Sequence, residues 1–252
     1  MTNLYIFELG DSECKILDPT NDNDNSTLLK TALDFARKIR EIEEPAHPIT
    51  LTEAELDHIA SIHCDKWVEG TARHFMLYAG SSKPSLIQPK EQAEFSDYNT
   101  AKIKGFSGDI SGVIGEALFA LTLVKKYNLS ETDFVHFSAT DKIFPDFGIY
   151  NTSQSFAASA QKALNRAPTF NSSRTLLYAH VLPAEVKAFT GSQITEGQLQ
   201  NRLFKAFLQL RSFWKTRQAK RGDKIFRGPS IIFIAVLNKT KRAYNGFIIW
   251  IT

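Results

Sequence analysis

The rhythm of hydrophobic and polar positions changes several times along this chain. Residues 4–9, LYIFEL, form a short apolar run that predicts an opening strand, and the stretch DPTNDNDNST that follows, rich in Pro, Asn and Asp, predicts a loop. Over residues 28–44 the apolar positions Leu29, Ala32, Leu33, Ala36 and Ile39 recur near a 3.6-residue period, which predicts a helix closed by Pro45 and Pro48. Thr52 and Glu55 form a capping-box pattern that starts a second helix running to about His63. Residues 80–105 have little periodicity and read as a linker or long surface loop, so a domain boundary is expected there.

After that boundary the order changes. GVIGEALFALTLVKKYN, from Gly112, predicts an apolar helix ended by Asn128, and DFVHFS and KIFPDFGIY predict two strands. Residues 151–174, rich in Ser, Asn and Ala, read as an insertion containing a small helix, FAASAQKALNR. TLLYAHVLPAEVKAF is too apolar for a half-exposed strand and is expected inside a sheet. A helix from about Thr195 to Lys215 and two last strands, SIIFIAVLN and NGFIIWIT, complete the pattern. The chain shows no internal repeat. Helix, three strands, helix, strand predicts an α/β layer architecture with helices packed on a mixed sheet.

The apolar pattern is broken in LPAEVKAF, residues 182–189. Side chains alternate along a strand, so Glu185 and Lys187 share one face while Ala184, Val186 and Ala188 share the other. Charges at the end of a core strand are costly unless they are paired or used. Two more acids stand in apolar surroundings. Asp146 lies in FPDFGIY, a strand whose Phe144, Phe147 and Ile149 are expected to be buried, and Glu116 lies among Val113, Ile114, Leu118, Phe119 and Leu121. These three are among only nine acidic residues after position 105. Their repulsion in a low dielectric calls for a cation, and a hard divalent ion held by carboxylates, waters and phosphate oxygens suits it.

Pro145-Asp146 followed by Glu185-x-Lys187, with a helical Glu116 ahead and a basic helix behind, resembles the PD-(D/E)xK nuclease superfamily. The resemblance covers roughly residues 106–252, including the order of elements, and leaves the N-terminal part without a counterpart. One departure is the 38 residues between Asp146 and Glu185, longer than is typical, which the insertion at 151–174 accounts for. The resemblance implies a restriction-endonuclease-like core, a mixed central sheet flanked by helices, over 106–252; the region over 1–105 reads from its own pattern as acidic and mostly helical. It implies that Asp146 and Glu185 ligate Mg2+, with Mn2+ as a substitute, and that the Val186 carbonyl completes that site. Lys187 would orient or deprotonate the attacking water and stabilise charge at phosphorus, and Glu116 would hold a second ion or its waters. The products would be a 5′-phosphate and a 3′-hydroxyl. Without the resemblance, Glu185 and Lys187 read rather as a structural ion pair at a strand end, with Asp146 in a turn after Pro145.

Charge sharpens the expected substrate. The net charge of +3 hides a division: residues 1–105 hold 11 basic and 18 acidic side chains, whereas residues 106–252 hold 19 basic and 9 acidic. Nucleic acid is the leading candidate for a polyanion facing the second part. The helix after ExK carries Gln198, Arg202, Lys205, Gln209 and Ser212 on one stripe and Leu199, Leu203, Ala206, Phe207 and Leu210 on the other. In the superfamily such a helix borders the substrate channel, so Gln198, Arg202 and Lys205 become candidate nucleic-acid contacts. Six basic residues in KTRQAKRGDKIFR, Lys220 and Arg221 among them, and Lys239, Lys241 and Arg242 are candidate phosphate contacts. Asn165, Arg166, Asn171 or Arg174 could read base edges. A solvated basic surface is the ordinary alternative for each. His58, His63, Cys64 and His74 match no zinc spacing, and Gly105, Gly108, Gly112 and Gly115 no phosphate loop.

At 252 residues and 43% hydrophobic content, with no apolar run near the roughly 20 residues of a membrane span, a globular protein without membrane contact is expected. The start lacks a basic segment and meets Glu8 and Asp11 early, and Cys14 and Cys64 are the only cysteines, so a reduced, cytoplasmic protein is expected. The expected function is a Mg2+-dependent DNA endonuclease, foremost a type II restriction enzyme acting as a homodimer on double-stranded DNA. The alternatives are the nuclease effector of a multi-protein anti-phage system, with a partner docked on the N-terminal region, and a non-catalytic nucleic-acid-binding module.

Overall fold

The computed structural model describes residues 2–11, 25–42, 48–64, 108–137, 145–150, 153–164, 182–189, 194–219, 229–238 and 243–251. Seven strands and five helices follow one another as β1 (Thr2–Asp11), α1 (Asn25–Glu41), β2 (Pro48–Leu51), α2 (Glu53–His63), α3 (Gly108–Tyr127), β3 (Phe134–His136), β4 (Phe147–Ile149), α4 (Gln154–Leu164), β5 (Leu182–Phe189), α5 (Glu196–Ala219), β6 (Ser230–Asn238) and β7 (Ala243–Ile251). The strands form a single mixed sheet in the order β2-β1-β7-β6-β5-β4-β3. Strands β3, β4 and β5 run as an antiparallel meander, β6 is parallel to β5, β7 is antiparallel to β6, and β1 is parallel to β7. The short strands stand at the edges, where long unpaired ones would invite association.

The long strands are apolar on both faces because helices cover both. On one face Ile231, Phe233 and Ala235 of β6 and Tyr244, Ile248 and Trp250 of β7 join apolar side chains of α2, α3 and α4. On the other, Ile232 and Ile234 of β6 and Phe247, Ile249 and Ile251 of β7 pack with α1 and α5. The α1 stripe differs from its expected form at two positions: Leu28, Ala32, Phe35, Ala36 and Ile39 are buried, whereas Leu29 is exposed and Leu33 half-buried. Phe35, stacked at a tilt on Phe207 of α5, centres the buried face and draws Leu28 in with it.

Local chemistry sets the helix ends. Thr52 accepts the Glu55 N–H while Glu55 accepts the Thr52 N–H, the capping box read from the sequence, and such a cap is worth about 1 kcal/mol. Asn128 closes α3 with φ of 54°, a left-handed turn that Asn tolerates.

The described residues before position 65 share this sheet and these cores. Strand β1 lies between β2 and β7, α1 packs against α5, and α2 packs against α3. The buried Tyr127 hydroxyl of α3 donates to Glu8 of β1, a further tie across the two parts. The expected linker at 80–105 lies outside the described residues.

Candidate active site

Asp146 precedes β4 rather than lying within it. The ladder between β4 and β5 ends at the Phe147–Ala184 pair, and the next acceptor for the Val186 N–H is Asp146 Oδ2 itself, at 2.7 Å. On the other side the Asp146 carbonyl still accepts the Phe137 N–H at 2.8 Å. The carboxylate therefore sits in the opening between two diverging strands, near the plane of the sheet.

Glu185 is fully buried. Laterally paired residues point the same way, so its pairing with Ile232, and that of Lys187 with Ile234, puts both on the sheet face covered by α1 and α5. Lys187 donates from Nζ to Glu185 Oε1, while Glu185 Oε2 has no hydrogen-bond partner. Burial first, then the neighbouring Asp146 charge, pushes the Glu185 carboxyl well above its usual range, against the pull of Lys187 and, last, of the nearby Asp146 backbone N–H. Burial also raises Asp146; Lys187 and the Val186 N–H oppose this, Glu116 adds to it and His136 opposes it.

Glu116 comes from the other side. Val186 and Ala188 face α3, and Gly115 lets that helix approach closely: a Cβ on Gly115 would lie 2.8 Å from Ala188 Cβ and 3.1 Å from Val186 Cγ1. The next residue, Glu116, directs Oε2 to within 3.4 Å of His136 Nε2. Asp146 thus acts on Glu185, on one face of the sheet, and is acted on by Glu116, from the other. His136 was not among the residues singled out from the sequence. The available signal was a histidine in step with Phe134, on the apolar face of a short strand.

Among the described residues, no group of three or more His, Cys, Asp or Glu side chains stands ready to hold a metal ion. The donor set nevertheless suits a hard cation. Glu185 presents a buried carboxylate oxygen without a partner, and Asp146 adds a second carboxylate at the same opening.

The expected nucleic-acid contacts divide. Gln198 accepts the Thr195 N–H at 3.0 Å and its own N–H bonds Thr195 Oγ1 at 3.2 Å, so it closes the N-terminal cap of α5. The exposed Arg202 holds its guanidinium 6.0 Å from the ring centre of Phe189, which shares the strand face of Glu185 and Lys187. Lys205 is exposed one turn further. Lys220, Arg221, Lys239, Lys241, Arg242, Asn165, Arg166, Asn171, Arg174 and His74 lie outside the described residues. His58 pairs with Glu131 at 2.9 Å, His63 stacks on Phe134 at 4.3 Å, and Cys64 directs Sγ to the Val113 carbonyl. These three have separate partners. Comparison with protein-family models, curated proteins and solved structures finds no match to this chain.

Proposed function

We propose that this protein is a Mg2+-dependent DNA endonuclease of the PD-(D/E)xK type. The observation that carries the reading is Glu185: a fully buried carboxylate with one oxygen unpartnered, beside Asp146 and on the same strand face as Lys187. A buried acid left half-satisfied costs stability, and a cation site is a physical reason to keep it. The element order supports the reading once α4, which falls in the insertion between β4 and β5, is set apart: α3, β3, β4, β5, α5 and β6 then follow as helix, three strands, helix, strand.

Asp146 and Glu185 would hold the cation, with the Val186 carbonyl beside them and Glu116 reached through water. A bound Mg2+ supplies charge neutralisation at the scissile phosphate and acidifies a water. Lys187, its side chain 16% exposed, stands between the buried Glu185 and solvent, where its ammonium can meet a phosphate oxygen and favour negative charge growing at phosphorus. Arg202 and Lys205 would hold the backbone on the exposed side of α5.

Incubation of supercoiled and linear DNA with the protein in Mg2+ or EDTA tests the proposal. Mg2+-dependent discrete fragments are the expected result and favour a restriction enzyme. A Mg2+-dependent smear favours a non-specific effector, and DNA binding indifferent to Mg2+ with no cleavage would leave the binding module.

A further inference from the structure

Building on the nuclease reading, we infer that His136 is a positioning residue of the site, holding the Glu116 carboxylate at the end of β3 that also pairs with Asp146. Its Nε2 lies 3.4 Å from Glu116 Oε2, and the two side chains are only 13% and 19% exposed. Its ring meets Phe147, the residue after Asp146, edge to face at 5.1 Å and 75°. The next residue, Phe137, donates its N–H to the Asp146 carbonyl. The end of β3 therefore touches both acids at once, one through a side chain and one through the backbone.

The physical need for such a residue follows from the placement of Glu116. Gly115 draws α3 against β5 and brings Glu116 close enough to Asp146 for their charges to interact. Two like charges in a poorly solvated gap repel, and a flexible glutamate side chain relieves that repulsion by turning away. A directed imidazole nitrogen on a ring fixed by packing opposes that rotation. Outer partners of this kind orient carboxylates around metal ions, and their loss typically costs ten- to a hundredfold in metal affinity or activity.

Two substitutions separate positioning from packing. His136→Phe keeps a ring against Phe147 and removes the nitrogen; His136→Gln keeps an N–H donor and removes the ring. Mn2+ binding followed by calorimetry, with melting temperature and cleavage rates alongside, gives a readout independent of turnover. The expected result is that His136→Phe melts like wild type, binds Mn2+ about ten- to a hundredfold more weakly and loses kcat more than KM, while His136→Gln recovers most of the affinity. Wild-type Mn2+ affinity in His136→Phe, or equal loss in both variants, would overturn the inference. Glu185→Gln serves as the reference. If wild type binds Mn2+ and cleaves, Glu185→Gln does neither, and His136→Phe is normal, the nuclease reading survives and the role of His136 falls. If wild-type protein neither binds Mn2+ nor cleaves, both fall together.

Discussion

Glu185 occupies the part of β5 that is closed to solvent, and exposure begins with Lys187. Lys187 occupies one carboxylate oxygen, and the other has no hydrogen-bond partner. His63 is a different kind of buried group. It is 5% exposed, stacked on Phe134, and its Nε2 has no partner, so burial lowers its affinity for a proton, opposed by Glu131 and aided by His136. The unfolded chain then binds the proton more tightly than the folded one. Stability is full above the ordinary histidine value of 6.5 and is lost as the pH falls from there toward the lower folded value. His63→Phe, which keeps the stacking and removes the titration, should flatten the fall in melting temperature between pH 7 and pH 5. An unchanged acid slope in that variant would assign the sensitivity elsewhere.

At the scale of elements, the site depends on how α3 and α5 meet β5. Gly115→Ala places a methyl 2.8 Å from Ala188 Cβ, an atom fixed to the backbone, so α3 must shift. Overpacking of this kind costs about 1–3 kcal/mol, and because Glu116 is the next residue, metal affinity should fall with the melting temperature. A variant as stable and as active as wild type would show that the approach of α3 is not needed. On α5, Arg202→Ala and Lys205→Ala should each weaken DNA binding and reduce its salt slope by roughly one, the signature of a lost phosphate contact. Equal slopes in filter-binding titrations would move the substrate away from this helix.

Much at this scale was legible in the sequence because it is local. Helical periodicity and the Thr52–Glu55 cap depend on residues within one or two turns, and strand alternation alone put Glu185 and Lys187 on one face. Thr195 and Gln198 were readable as a cap by the same rule, although Gln198 was assigned to the substrate. What escaped is non-local. That Asp146 leaves the strand to take the Val186 N–H, that Glu116 and Glu185 approach from opposite faces, and that His136 meets Glu116 all depend on register between distant strands.

The molecule as a whole joins its acidic and basic parts through one sheet. Strand β1 runs parallel to β7 from the Leu4–Tyr244 pair to the Asp11–Ile251 pair, and α1 closes the cluster formed with α5. No periodicity could announce a pairing between the two ends of the sequence. Among the described residues, no helix is long and apolar enough to cross a membrane. A fragment of residues 106–252 lacks β1, α1, β2 and α2, so it exposes the edge of β7 and the apolar surfaces beneath both missing helices. It should aggregate or fail to fold cooperatively; a monomeric fragment with a sharp melting transition would show that the second part is an independent domain.

The central claim is that Asp146, Glu185 and Lys187 form a phosphodiesterase site. Its most direct test is the rate of DNA cleavage in Mg2+ by wild type, Glu185→Gln and Lys187→Ala, each shown to be folded by its melting transition. The account predicts cleavage by wild type that EDTA abolishes, and loss of at least about a hundredfold in both variants, the scale expected for removing a metal ligand or a transition-state charge. Cleavage at the wild-type rate by either folded variant would contradict it.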